Sequence, residues 1–489
     1  MIRCSLLFLL LIVVSSIKAE NPLVKNNSIT IINKDYDLNG DTLKIPEGCV
    51  LKFEGGSISN GVISSNYSFP IEAGLSQIFN NVKLEIQKSG TVKLYSEWFG
   101  IDRRNNEIIN SINLQSLLNC SKNLHVVFQD GLYRFSIHHP VKALGRFVLT
   151  GECSGSFSEV PRTRFSIIGY SNKPVFFLTL LTDRSTLKHI SFSCSRGKNY
   201  KKFGNVGCIF IKDGINPGNI DSAIDECSFI HVGCPVKAYG RGLSVTNCRF
   251  QQCGGMVLKQ TKSITNNKSQ QPPFDGRGLF INNIRIHWLY QVGAGEYNSF
   301  GGKDKTFITM QENKEVDGST FFGVMMDNIY ADGECQLIDC KTNINSLILT
   351  NVFCAQPRDN FLHFRQNASN IIISKVISET FFQEPEKYAS HFATFNGYLE
   401  NLIMTDNIFG DVKEDIVKVC NDEQNILKNC IINNNIIKGG KGVLSLENIQ
   451  GSSVRIINNI IEQTGIFEHE VRIHGDSRRT TLNDIIINN

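Results

Sequence analysis

The chain has 489 residues with 50 Lys+Arg against 46 Asp+Glu, and it carries 57 Ile and 49 Asn but only 11 Ala. So little Ala argues against a helical bundle, and so much Ile and Asn favours short strands joined by tight turns. An apolar content of 41% excludes a disordered chain, and a net charge of +4 without a basic stripe implies no nucleic-acid partner.

Residues 1–19 read as a secretory signal: Arg3 supplies the positive end, Leu6 to Val14 form a short apolar run, and Ala19 stands at the cleavage point. The run is too short to span a bilayer, and no later segment is long and apolar enough to do so. Cleavage would remove Arg3 and Lys18 and leave a charge of +2. The expected location is therefore periplasm, cell surface or medium. Fourteen cysteines would remain, without CxxC pairs, and most sit in strand-like runs such as Cys208 to Ile211, where they behave as small apolar residues.

A helix is expected over 107–118, with Ile108, Ile109 and Ile112 on its inward side, covering an otherwise open strand edge. From about residue 185 onward a short unit recurs: apolar-x-apolar, an Asn or Asp step, more apolar residues, then a turn. Its instances include Ser244 to Phe250, Phe280 to Ile284, Met325 to Ile329, Ile348 to Val352, Ile403 to Ile408, Ile431 to Ile436 and Ile456 to Ile460. A second strand precedes each unit, as at 337–341, 362–365, 392–395, 416–420, 443–446 and 471–474. An apolar period of two at this repeat length predicts a right-handed parallel β-helix over 98–489. Ile, Leu, Val, Phe and Cys would fill the inside, and Asn would turn each corner and bond the Asn one coil away. Cys227 and Cys248 would occupy equivalent positions in consecutive coils, which makes them the best candidates for a disulfide.

Two stretches carry a narrower likeness, residues 41–61 (DTLKIPEGCVLKFEGGSISNG) and 95–100 (YSEWFG). With the repeat, they make the chain resemble the pectate-lyase-like right-handed β-helix superfamily, and most of all a secreted bacterial branch of it. The resemblance implies the fold, with a small β region over residues 20–97 ahead of the main solenoid, but no single activity, since the superfamily holds lyases, hydrolases, adhesins and tail fibres. Polygalacturonate hydrolases of the superfamily use Asn-Thr-Asp, Asp-Asp, His-Gly and Arg-Ile-Lys elements. Only His474-Gly475 is matched, which counts against that activity.

Coil alignment yields three groups of candidate site residues. Asp339 and Lys341, with His363 and Arg365 one coil later, would share an exposed patch suited to acid–base chemistry or to a substrate carboxylate, or would form ordinary surface ion pairs. A second stripe, His287, Asp332, Glu379 and Asp411, follows the Asn step; Glu379 and Asp411 would make a carboxylate pair or a calcium site, with a polar turn as the plain alternative. Third, Trp288, Tyr290 and Tyr297, in an excursion with Phe300, Gly301, Gly302, Lys303 and Lys305, would stack on sugar rings or else pack on the solenoid. The expected function is binding or processing of an acidic polysaccharide by a lyase or glycosidase, the alternative being a non-catalytic glycan-binding or surface protein. No cofactor other than calcium is implied. A trimer or an end-to-end oligomer is a further expectation, because the chain ends in a coil-like run, Ile485 to Asn489.

Overall fold

A computed structural model describes residues 24–86, 92–152, 161–181, 184–194, 205–212, 221–239, 242–259, 278–289, 300, 305–312, 320–379, 389–410, 412–462, 468–474 and 481–488. Within them the chain is a stack of coils in which every pairing between named strands is parallel, most of it in one 31-stranded ladder. Register advances by one coil at each pairing: Ile281 faces Met326, Met326 faces Leu349, and Leu349 faces Ile373. These residues alternate with exposed or half-exposed ones, so a period-two sequence lays one apolar ladder inside the coil. Parallel strands joined by such crossovers wind right-handed.

The Asn step is where the chain bends. Asn247, Asn283, Asn328, Asn351, Asn434 and Asn458 all have φ between 52° and 55°. This left-handed region suits Asn, whose side chain then bonds along the stack. Asn283 Nδ2 donates to Asn247 Oδ1 at 2.7 Å and Asn328 Nδ2 to Asn283 Oδ1 at 3.0 Å. A second exposed ladder links Asn345, Asn370, Asn401 and Asn429. A third, fully inside, joins Asn407, Asn435 and Asn459 by amide bonds of 2.8 and 2.9 Å.

The N-terminal β region is itself solenoidal. Ile29–Ile32 pairs with Val50–Phe53, which pairs with Ile71–Glu72. Ile58–Ser65 pairs in parallel with Phe79–Ile86. Its apolar side chains belong to the same continuous core as the later coils. The junction is a 3-10 turn, Ser96–Phe99, where Trp98 Nε1 donates to Gly74 O at 2.9 Å and Phe99 meets Phe79 at 5.4 Å.

The expected helix forms as Glu107–Cys120, but with a different face inward. Ile108, Ile109 and Ile112 are exposed, while Asn110, Ser111, Leu114, Leu117 and Leu118 are buried. The reason is the strand edge that the helix covers. Its backbone groups need hydrogen-bond partners, which Ile cannot offer. Asn110 Nδ2 donates to Arg134 O, Ser111 Oγ accepts from Ser136 N, and Gln115 bonds both N and O of Lys142.

The thirteen described cysteines are free, and all but Cys420 are buried. Cys227 and Cys248 are adjacent in the stack, yet each thiol donates to a backbone carbonyl, of Asp225 and Thr246 respectively, and no disulfide joins them. Burial pushes the Cys227 thiol up to about 12, so it stays protonated.

Candidate functional site

One outward row of side chains runs the length of the main solenoid. Cα partners follow the order Phe210, Lys237, Val257, Thr309, Asp339, His363, Thr394, Lys418, Ser445 and Arg472. Three residues earlier in each coil runs a second polar row, including Gln336, Asn360, His391, Asp415, Gly442 and His469. Two consecutive inward residues separate the rows, as Leu337 and Ile338 do, both fully buried. Buried polar side chains gather here: Thr306, Thr309, Gln336, Asp339, Thr394 and Asp415.

The first candidate group is assembled as expected, around a centre deeper than expected. Asp339 pairs with His363 in register, and its side chain is 0% exposed, so it forms no exposed patch. Its Oδ1 accepts from Arg365 Nε at 2.7 Å, with His363 Nδ1 at 3.7 Å and Lys341 Nζ 3.9 Å from Oδ2. The 3.7 Å separation is too long for a hydrogen bond. Lys341 and Arg365 are 38% and 39% exposed. Asp339 thus lies at the floor as an anchor, and two cations project from it.

The second stripe is brought together at one end. His287 and Asp332 are in register, with Nδ1 2.9 Å from Oδ2. Ser378 pairs with Phe409, which sets Glu379 level with Gly410, one residue short of Asp411. Asp411 lies outside the described residues, and among them no group of three or more His, Cys, Asp or Glu is arranged around a metal position. Of the aromatic group, Trp288 is the last residue but one of the strand Phe280–Leu289, and Tyr290 and Tyr297 lie outside the described residues. Phe300 does not face solvent: it is buried against Cys234, Val257 and Phe176, and its carbonyl accepts from Lys237 Nζ at 3.0 Å. Lys305 is paired with Glu334.

Sequence reasoning missed a second group on the same face. Asp415 is fully buried; its Oδ2 accepts from Arg472 Nη2 at 2.7 Å and its Oδ1 meets His469 Nε2 at 2.9 Å. His391 Nδ1 bonds the Asp415 carbonyl at 2.7 Å. Burial holds the His391 imidazole below its usual range, against the opposing effect of that carbonyl, so the ring is neutral at pH 7. Glu414 is part desolvated, but Lys441 and then Arg472 outweigh this and hold its carboxyl below the usual range. The signal was available: the triplets Val417 to Val419, Leu444 to Leu446 and Val471 to Ile473, aligned, place Asp415, Gly442 and His469 in one row.

Parallel pairing carried from coil to coil settles the architecture. The fold is a parallel β-solenoid. No protein-family profile and no curated protein matches the chain. Among solved structures it is similar to the surface adhesin PfbA of Streptococcus pneumoniae, at 12% identity over 78% of this chain and 93% of that one, with a TM-score of 0.48. It is also similar to the A-module of the mannuronan C-5 epimerase AlgE6 of Azotobacter vinelandii (11% identity, 80% and 98% covered, TM-score 0.44). A third is tailspike protein 3 of bacteriophage CBA120 (8% identity, 80% and 61% covered, TM-score 0.42). Likenesses at these identities and TM-scores carry no argument about this chain's activity. No helix among the described residues is long and apolar enough to cross a membrane.

Proposed function

We propose that the chain is exported and binds an acidic polysaccharide along the face that runs from Asp339 to Arg472. The observation that carries this is the pair of half-exposed cations, Lys341 and Arg365, anchored over one wholly buried carboxylate. Two positive charges over one negative leave a surplus that suits a uronate carboxylate, and the Arg365 guanidinium is the better shaped partner for it. Export rests on the charged start and apolar run of residues 1–19.

The test is binding of purified protein to polygalacturonate, alginate and a neutral glucan, with and without calcium. The acidic polymers are expected to bind, more weakly as salt rises, and Lys341→Ala with Arg365→Ala should lower affinity about tenfold or more. Equal affinity for the neutral glucan, or an unchanged double variant, overturns the proposal. Processing of the bound glycan is followed in parallel as unsaturated ends and as reducing ends. A purely binding role is the second reading. It is favoured by the 3.7 Å gap between His363 and Asp339, too long for a proton relay at this cluster.

A further inference from the structure

We infer that His469, held by Asp415, is the proton-accepting group of a catalytic centre four to five coils along from the Lys341–Arg365 patch. This rests on the acidic-glycan reading above and adds to it the place and the base of a reaction.

The geometry is built for one purpose. Asp415, Gly442 and His469 are successive Cα partners, so His469 lies two coils, about 10 Å, from the carboxylate it touches. The imidazole reaches that far because Gly442 lies between them with no side chain. A Cβ at Gly442 would come within 2.6 Å of both Cδ2 and Nε2 of the ring. Arg472 makes the same two-coil reach over Ser445 to the other oxygen of Asp415. A wholly buried carboxylate is thus gripped on both oxygens by side chains from two coils away.

A carboxylate only accepts, so the proton of neutral His469 sits on Nε2 and the lone pair on Nδ1. Asp415 fixes that tautomer and supports the imidazolium when it forms, while Arg472 keeps Asp415 oriented. The 2.9 Å bond is what the Asp339 cluster lacks. Charged and titratable groups about the pair include Glu414, which both Lys441 and Arg472 contact, and His391, which bonds the Asp415 carbonyl. At 17% exposure the ring is not sealed from solvent.

The reaction that fits a base facing a uronate is elimination. Nδ1 takes the proton from C5 of a uronate unit, and the C5–H electrons form the C4=C5 double bond. The C4–O bond breaks, and the departing glycosidic oxygen takes up a proton from the imidazolium. Binding of a long chain at Lys341 and Arg365 places a distant unit over His469.

The experiment follows unsaturated ends released from polygalacturonate and alginate by the full chain, together with binding of the same polymers. His469→Gln is expected to lower turnover about a hundredfold or more with affinity within about twofold of wild type. Asp415→Asn tests positioning: with the ring no longer held, kcat should fall about tenfold or more while KM stays within about twofold of wild type. Should that variant not fold, Gly442→Ala, which displaces the ring, should lower turnover with binding retained. Bound glycan that is never cleaved, or a fully active His469→Gln, overturns this inference and leaves the binding proposal standing. No binding to any acidic polymer overturns both.

Discussion

The outward row tells two stories in one solenoid. At Phe210, Lys237 and Val257 it is largely apolar and sealed: Phe300 lies over Val257 and Cys234, and burial lowers the pKa of Lys237 while its ammonium bonds the Phe300 carbonyl. From Asp339 to Arg472 the same row carries carboxylate, imidazole, hydroxyl, ammonium and guanidinium groups. The backbone is alike in both stretches. An inward row must fill the core, whereas an outward row takes its chemistry from what lies over it.

Three perturbations test that contrast. The largest effect is expected in the sealed stretch: Phe300→Ala should cost about 3 kcal/mol or more, read from urea unfolding, because it opens a cavity over Val257 and Phe176. Glycan binding should be unchanged; a loss of binding would mean that the two stretches are one site. In the polar stretch, Arg365→Ala should cost about 2 kcal/mol, since it takes the charge-assisted hydrogen bond from buried Asp339. A variant as stable as wild type would make Arg365 a surface ornament.

The smallest effect is in pH. His391 is buried with a lowered pKa, so the unfolded chain takes up its proton first as pH falls. Its contribution is complete above about pH 6.5, the unfolded value, and is lost as pH drops below that. The thermal midpoint should fall with acid over that window, less so in His391→Gln. An identical slope in the variant would place the acid sensitivity elsewhere.

Much of this was legible in the sequence because the repeat is written in single residues. Ile, Asn and the period of two give the coil, the bend and the register, and register alone brings Asp339 beside His363. The depth of Asp339 was not legible, since alternation says outward and says nothing of what lies above. The inward face of the helix was misread for a related reason: apolar spacing points to Ile108 and Ile112, but an open strand edge asks for amides and hydroxyls. Asp415 escaped notice because its partners come from two coils away, and a coil-by-coil alignment looks only at neighbours.

That reach has a mechanical consequence. In a solenoid held only by contacts between adjacent repeats, the end frays one repeat at a time. His469 and Arg472 both skip a coil to grip Asp415, which staples three successive turns together. Hydrogen exchange in strands Asp415–Asn433, Gly442–Ile457 and His469–His474 should therefore report a single opening event, with the three stapled turns coming apart as a block.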